Sequence, residues 1–578
     1  MDAAPVRRSR AIWAVALAAA ACLYVFPYQS RLNNPNENVR LYMTASLVES
    51  GTLTIDGMRR RWGWVNDSAC VDRDPTGTPS PCERPAPMLG ITRHYYSVKA
   101  PGTSYLGVPG YALYRALAGD GFDRTEALWA SRLTGSILPW LVFLYFFYRW
   151  LERNVASPVV RNGVFVSLAL GSPLYGYATM FASHTTAAAC AFGAFMILYD
   201  ARTEGTAGRG AAFLAGLFAA GASLFEYPCF FVSLCLALYA LAALAPRRRL
   251  LPFALGALVP TLVLMHFQHA AFGNALSPGH LYVETPQFRS WHHEGLFGAR
   301  ELHWEAAVRL LFDRRLGMFA LTPLLALGPW GLVRAARVRG RRVDAVTAGT
   351  ACAFLYVFVC FLNVWDAGWS IGPRYLVPIL PFLGWGAAEA LDGIASRRPV
   401  LAESLTLGGT AAALVAGGIP SAYYPHLPPP FDYPLAHLFR ILVRDGFAPY
   451  NAANLVGVYG TASMLPLLLV AAAALVGVAR SVPEASRRWR SSLLGGLVAL
   501  ALLLPHAIAP APSRPVRDAI AFVTNQWTPA GHDRAAVLEE ALRRAPTRAG
   551  YERLASIYRD QGRMRLSESS LSRAAAAP

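Results

Sequence analysis

The sequence predicts an all-α polytopic membrane protein of about 13 transmembrane helices, and three observations predict it. Of 578 residues, 54% are hydrophobic and only 15% are charged, a balance that a water-facing surface rarely shows. The apolar residues gather into runs of about 17 to 21 positions with few or no charges, long enough to cross roughly 30 Å of hydrocarbon at 1.5 Å per residue. Between the runs lie short loops rich in arginine, the pattern of cytoplasmic loops.

The runs fall near 11–28, 129–148, 162–180, 183–199, 211–226, 228–245, 251–270, 315–333, 346–363, 375–394, 402–420, 459–479 and 493–510. Arg7, Arg8 and Arg10 place the N-terminus inside. Counting onward, Arg149 and Arg153, Arg202 and Arg209, Arg247 to Arg249, Arg334 to Arg342, Arg397 and Arg398, and Arg480 to Arg490 all fall on that same side. The net charge of +18 is thereby spread over many short loops, which argues topology rather than a nucleic-acid surface. No small-residue cleavage site follows the first run, so it reads as an uncleaved anchor. Six of the eight cysteines lie in apolar runs, where a thiol is usually an inert small hydrophobe. Cys70 and Cys82 share an outer loop and are candidates for a disulfide in an oxidising compartment.

Folded mass outside the membrane is expected in 29–128, 271–314 and 421–458, whereas the inner loops are short. This gives a transmembrane domain over 1–510, with 29–128 as its first outer loop, and a helical tail over 516–578 on the outer side. Within the first outer loop Glu37 to Ser50 reads as an amphipathic helix ended by Gly51, with Val39, Met43 and Leu47 on one face. Ser104 to Leu117, with Tyr105, Tyr111 and Tyr114, has the composition of a helix in the headgroup layer. In the tail, His532 to Ala545 and Arg548 to Gln561 have the spacing of paired helices similar to one tetratricopeptide repeat, a candidate docking element for a protein partner.

Three stretches carry candidate chemistry. Asn33 to Arg40 follows the first run, and Glu37 there could act as a general base at the mouth of the bundle or simply favour a helix start capped by Asn36. Arg93 to Gly102 contains Lys99, the one lysine among 53 basic side chains. A compact ammonium on a flexible stem suits a phosphate oxygen. Trp365 to Tyr375 opens a run from the outside and carries Arg374 against the positive-inside trend, so Arg374 requires a partner, either Asp366 or a lipid phosphate. His94, Tyr96 and His184 are accessory candidates, and Glu226 and the pair His292 and His293 are weaker signals. The histidines lack a zinc-ligand spacing. Asp72 and Asp74 read as a solvated loop, because the outer side holds no nucleotide sugar.

In order and spacing, Asn36-Glu37, Arg40, Glu49-Ser50-Gly51 and Tyr95-Tyr96-Ser97-Val98-Lys99-Ala100-Pro101 resemble the first outer loop of the GT-C superfamily of membrane glycosyltransferases. The likeness is nearest the protein O-mannosyltransferase and lipid A aminoarabinose transferase families. Beyond that loop the resemblance rests on topology and on Gly372-x-Arg374-Tyr375 with Pro378. Two positions depart from the family pattern: Asn36 stands where the acidic pair begins, and Val98 where an acidic residue often precedes the lysine.

The resemblance implies inverting transfer of a sugar from a polyprenyl-phosphate donor to a hydroxyl or amine of a lipid, glycan or protein acceptor. It implies Glu37, alone or with Asp56, as the base, and Lys99, Arg374 and Arg40 as the donor phosphate site. It leaves a divalent metal open, and it implies a bacterial inner membrane. The rival classes are a transporter or lipid flippase, for which related halves with broken midplane helices would be expected, and a surface-glycan polymerase or ligase.

Overall fold

The computed structural model describes residues 4–25, 34–83, 87–88, 90–205, 208–458, 460–526, 535, 538–539, 542–543, 546–560 and 564–577. Asn33 and much of the expected helix His532 to Ala545 lie outside these residues. The described chain is mostly helical. Among the described residues six helices are long and apolar enough to cross a membrane, namely Arg124–Asn154, Arg247–Phe272, Arg342–Cys360, Pro399–Tyr423, Gly460–Arg480 and Ala485–Ala507, and shorter apolar helices include Arg10–Tyr24, Arg209–Phe225 and Tyr227–Ala243. The protein is therefore a multi-pass membrane protein. The sequence-derived total of thirteen was reached by counting apolar runs as unbroken spans, and several are broken. Run 162–180 splits into Pro158–Ala169 and Pro173–Ala178, and run 315–333 into pieces that restart at Pro323 and Gly328. A proline removes a helical donor and clashes with the preceding turn. Buried neighbours rather than lipid then satisfy the freed backbone, as when Thr322 Oγ1 donates to Gly171 O at 3.1 Å.

In chain order, helix α1 (Ala4–Tyr24) is followed by α2 (Pro35–Ser50), α3 (Asp56–Trp62), strands β1 (Ser68–Arg73), β2 (Pro79–Pro81) and β3 (Thr92–Ser97), then α4 (Gly102–Ala118) and the long helix α5 (Arg124–Asn154). The strands correct the all-α expectation: they form an antiparallel sheet of order β2-β1-β3. The last strand, Thr92-Arg-His-Tyr-Tyr-Ser97, carries the aromatics that favour strands. Cys70 and Cys82 are joined by a disulfide. As expected, α2 ends at Gly51, which adopts a left-handed φ of 64° and lets the chain turn without a Cβ clash.

The bundle has two chemically different ends. Helices α5, His184–Glu204 and Arg209–Phe225 each carry a charged or histidine residue toward one end: Arg132 in the third turn of α5, His184 at the start of the second and Glu226 just beyond the third. Their far ends carry Arg153, Arg202 and Arg209. Ion pairs join those far ends, Arg153 to Asp200 at 2.6 Å and Arg202 to Asp344. Arg374 opens the helical stretch that runs on to Ala395, next to Arg397 and Arg398. Between the two ends lies an aromatic core in which Phe195 meets Trp385 with centroids 5.3 Å apart and Phe192 meets Phe382 at 4.9 Å. Helices Arg209–Phe225 and Leu250–Phe272 approach so closely that a Cβ on Gly216 would lie 1.9 Å from Phe253 O, and one on Gly256 would lie 2.0 Å from Phe213 O. Small residues at such crossings let backbones touch, which fixes the end of the first helix, where Glu226 sits.

In the tail, Arg548–Asp560 and Met564–Ala576 are helices, with Leu554 and Tyr558 buried against Ala535 and Leu542.

Candidate active site

Arg40, Lys99 and Arg374 come from three separate parts of the chain and converge on one group of charges. Arg40 lies on the second turn of α2 and is 1% exposed. One terminal nitrogen donates to Asn36 O at 2.8 Å, and the other donates to Ser183 Oγ at 2.6 Å and lies 3.6 Å from Glu226 Oε1. Ser183 in turn donates to Glu226, and His184 Nδ1 is 3.2 Å from the same carboxylate.

Lys99 follows β3, and its register is set by Val98 N–H donating to Asp67 O at 3.2 Å. Its ammonium lies 3.3 Å from Asp67 Oδ2, which is buried and otherwise without a hydrogen-bond donor. Burial pushes the Lys99 ammonium below the ordinary lysine range. The Arg374 and Arg40 charges push the same way, and Asp67 and Glu226 oppose them. Burial likewise lowers Arg40, against the pull of Glu226 and Asp67. Each of the three cations thus feels the field of the other two.

Arg374 is placed by the loop before it. Gly372 has φ 70°, and a Cβ there would meet Pro173 Cγ at 2.4 Å, so only glycine fits. Its N–H donates to Arg315 O at 2.7 Å. The buried Arg315 guanidinium donates to Gly368 O at 3.1 Å and Ser370 O at 3.4 Å, holding the same loop from the side-chain end. Among the described residues no carboxylate pairs with Arg374. Asp366 does not: its Oδ1 accepts the Gly368 N–H at 3.1 Å, and its field acts on Arg315. The sequence-derived alternative of an Asp366 to Arg374 pair is corrected, since a short turn through Ala367 and Gly368, both at positive φ, folds the aspartate onto its own backbone.

Glu37 is held in a different way from the role expected of it. It is 1% exposed. Its Oε1 accepts from Arg132 Nε at 2.7 Å and Phe181 N–H at 2.6 Å, and its Oε2 from Arg132 Nη2 at 2.9 Å and Asn34 Nδ2 at 3.0 Å. All four acceptor directions of the carboxylate are filled, so it has no lone pair left for an incoming acceptor proton. Asp56 is also engaged elsewhere, with His94 Nδ1 at 2.8 Å from Oδ2 and Tyr95 N–H at 2.7 Å from Oδ1. Tyr96 is buried against Phe272. Asp56 and His94 therefore hold β3 against α3 and Tyr96 packs it on the end of the helix Leu250–Phe272, whereas His184 stands within the charge cluster.

A metal carried by the expected pair does not fit these residues. Asn36 Oδ1 faces Arg40 at 3.4 Å, Glu37 is filled by Arg132, and among the described residues no three His, Cys, Asp or Glu side chains converge as a ligand set. Asp72 is ion-paired to Arg93 at 2.7 Å, and Asp74 closes a turn through the Thr76 and Thr78 amides, as a loop reading requires.

Sequence reasoning missed Asp67 and Arg132. Asp67 lies in Trp64-Val-Asn-Asp-Ser68, which has no recognisable motif. Arg132 had a signal: it falls inside the apolar run 129–148, where an ionisable residue calls for a named partner. Directly after it the helix widens into one π turn over Leu133–Ile137, a distortion frequent at functional sites.

No family model matches the chain, and no curated relative matches it. Among solved structures it is similar to ArnT from Cupriavidus metallidurans. The apo form gives a TM-score of 0.42 at 17% identity, covering 87% of this chain and 80% of that one. The form bound to undecaprenyl phosphate gives 0.41 at 19% identity, covering 88% and 81%. The archaeal oligosaccharyltransferase AglB from Archaeoglobus fulgidus, in complex with an inhibitory peptide and a dolichol-phosphate, gives 0.37 at 13% identity, and this chain spans 59% of its length.

Proposed function

We propose that this protein is a membrane glycosyltransferase that takes its sugar from a polyprenyl phosphate and passes it, with inversion, to a hydroxyl or amine of a lipid, glycan or protein acceptor. The observation that carries this reading is the charge balance of the cluster. Arg40, Lys99 and Arg374 face Asp67 and Glu226, leaving one positive charge and one arginine with no carboxylate. A sugar–phosphate–lipid diester carries one negative charge, so it completes the group.

The reaction follows from the same balance. The acceptor oxygen or nitrogen bonds to the anomeric carbon while the bond from that carbon to the phosphate oxygen breaks. Its electron pair leaves with the lipid phosphate, which gains a second negative charge beside three cations, and stabilising charge that develops at this point lowers the barrier. The acceptor proton goes to a carboxylate. Asp67 suits this better than Glu37, because a donor phosphate drawing Lys99 away would free Asp67 Oδ2, whereas Glu37 has no free acceptor site. Glu37 and Arg132 become positioning residues that fix the start of α2, and with it Arg40. The outer face of a bacterial inner membrane is the proposed location, and its quiet, arginine-lined opposite end supports that orientation.

The test is mass spectrometry of lipids co-purifying with the detergent-extracted protein, paired with transfer assays on labelled polyprenyl-phosphate sugars. The parent should retain a polyprenyl phosphate or its glycosylated form, and Lys99→Ala should lose tenfold or more of that retention, since a hydrogen bond to a charged group is worth about 1.5–3 kcal/mol. Asp67→Asn should keep the lipid and lose turnover. Bulk phospholipid alone in every sample would overturn the proposal.

A further inference from the structure

At the arginine-rich end, remote from the charge cluster, three helices leave a cavity of about 480 Å³, a volume usual for ligand sites. Its walls come from α1 through Trp13, Ala14, Leu17 and Ala18, from Pro158–Ala169 through Phe165 and Ala169, and from Leu465–Arg480 through Ala473, Ala474 and Gly477. On α1 these positions repeat at i, i+1, i+4 and i+5, which is one face. The cavity exists because that face meets alanines and a glycine where larger side chains would have closed it.

Its rim is basic. Arg10, Arg161 and Arg480 all line it, with no acidic lining residue among the described residues. Arg161 is 8% exposed, and its Nε is buried without a hydrogen-bond partner. Among the described residues no carboxylate pairs with it within 4 Å. Asp392 is occupied by the Ala156 and Ser157 amides at 2.7 and 3.0 Å, and Glu152 lies 3.3 Å from Arg149. The Arg161 guanidinium lies 6.0 Å from the centre of the Tyr148 ring. Tyr148 donates to Asn162 at 2.9 Å, and Asn162 to Ser481 at 2.7 Å, a chain that holds the helices apart at the rim. A nearly buried arginine without a counter-ion in a membrane protein is costly unless something supplies the charge.

We propose that this cleft binds one anionic glycerophospholipid from the leaflet on the arginine-rich side, its phosphate on Arg161, Arg10 and Arg480 and an acyl chain along the alanine-lined wall. Basic pockets between transmembrane helices recognise lipid headgroups by this combination of charge and apolar wall. The site is separate from the proposed donor site, so its occupant is a resident lipid rather than the sugar carrier.

Native mass spectrometry of the full-length protein tests it, with phosphatidylglycerol, zwitterionic phosphatidylethanolamine and inorganic phosphate as probes. Phosphatidylglycerol should be retained at least tenfold more than phosphatidylethanolamine. Arg161→Gln should remove that preference, and Lys99→Ala should leave it intact. Where Arg161→Gln fails to fold, the double replacement of the exposed Arg10 and Arg480 by Gln should still reduce retention several-fold. Filling the wall with Gly477→Leu should expel the lipid while leaving the rim charges in place. Equal retention of both lipids, or occupancy by inorganic phosphate that survives Gly477→Leu and excludes lipid, would overturn the proposal.

Discussion

At the residue scale the carboxylates of Glu37 and Asp67 behave differently, and their variants separate a structural role from a chemical one. Glu37→Gln leaves the Arg132 guanidinium buried with half its partner gone, and breaking a buried pair costs about 3–5 kcal/mol. We expect this variant to melt well below the parent, by differential scanning fluorimetry in detergent. Asp67→Asn removes a carboxylate with one ionic partner and should melt close to the parent while losing turnover. Comparable melting points with loss of turnover in Glu37→Gln alone would restore Glu37 as the base. Lys99 also sets the pH response. Burial lowers its pKa in the free protein, and only the ammonium form holds the phosphate. Donor affinity should therefore fall as pH rises, beginning below the range where an ordinary lysine titrates. His292, pushed down to about 4 by burial, stays neutral there and does not contribute. Lys99→Arg should flatten the alkaline limb of the profile; an unchanged alkaline fall in that variant would show another group to be titrating. Lys99 and Arg374 were legible in the sequence because each is an exception, a single lysine and a cation on the wrong side, whereas Arg40 was legible only through its place in the Asn36-Glu37-Asn38-Val39-Arg40 series. Asp67 was not, since nothing local distinguishes it from a loop aspartate.

At the element scale the small sheet is what carries Lys99 to the cluster. The sequence made the outer loop's helices legible through their apolar spacing and the stop at Gly51, but the strands were hidden because β1 pairs with β3 across separations of 19 to 29 residues, and only packing reveals such non-local pairing. The sheet is tied to the second outer stretch by Arg59, which donates to Glu284 at 2.6 and 3.1 Å, while Ser68 at the start of β1 donates to the same carboxylate at 2.7 Å. Burial would raise Glu284, but the Arg59 and Ser68 hydrogen bonds win and hold it below the usual range. Its contribution is therefore present above the ordinary glutamate pKa and lost as pH falls through its depressed value. Arg59→Ala should loosen β1 and β3 together, read as faster amide exchange over 68–73 and 92–97 with little change in the apolar bundle. Reducing the Cys70–Cys82 disulfide should loosen mainly β2, because β1 keeps its six-residue pairing with β3. Faster exchange confined to β2 after Arg59→Ala would contradict this order of support.

At the scale of the whole molecule the helices share a polarity, with Arg132, His184, Glu226 and Arg374 toward one end and Arg153, Arg202, Arg209 and Arg397 toward the other. Positive loops are retained on the cytoplasmic side during insertion, and a disulfide persists on the oxidising side; the two rules agree, since Cys70 and Cys82 belong to the loop that carries Lys99. The stretch Leu380–Ala395 has 16 residues, about 24 Å at 1.5 Å per residue, so with the turn from Arg374 before it Ser396 stands nearly a bilayer's depth from Arg374. Thr76 and Ser396 are exposed, and the proposed orientation puts them on opposite sides of the membrane. Single cysteines at each position, in a parent whose free cysteines are replaced and whose disulfide is kept, should therefore react oppositely with a membrane-impermeant maleimide. In right-side-out vesicles Thr76→Cys should label and Ser396→Cys should not, and inverted vesicles should reverse the pattern. Labelling of Thr76→Cys only in inverted vesicles would place the charge cluster within reach of the cytoplasm, where nucleotide-linked sugars become available as donors and the case for a lipid-linked donor loses its topological support.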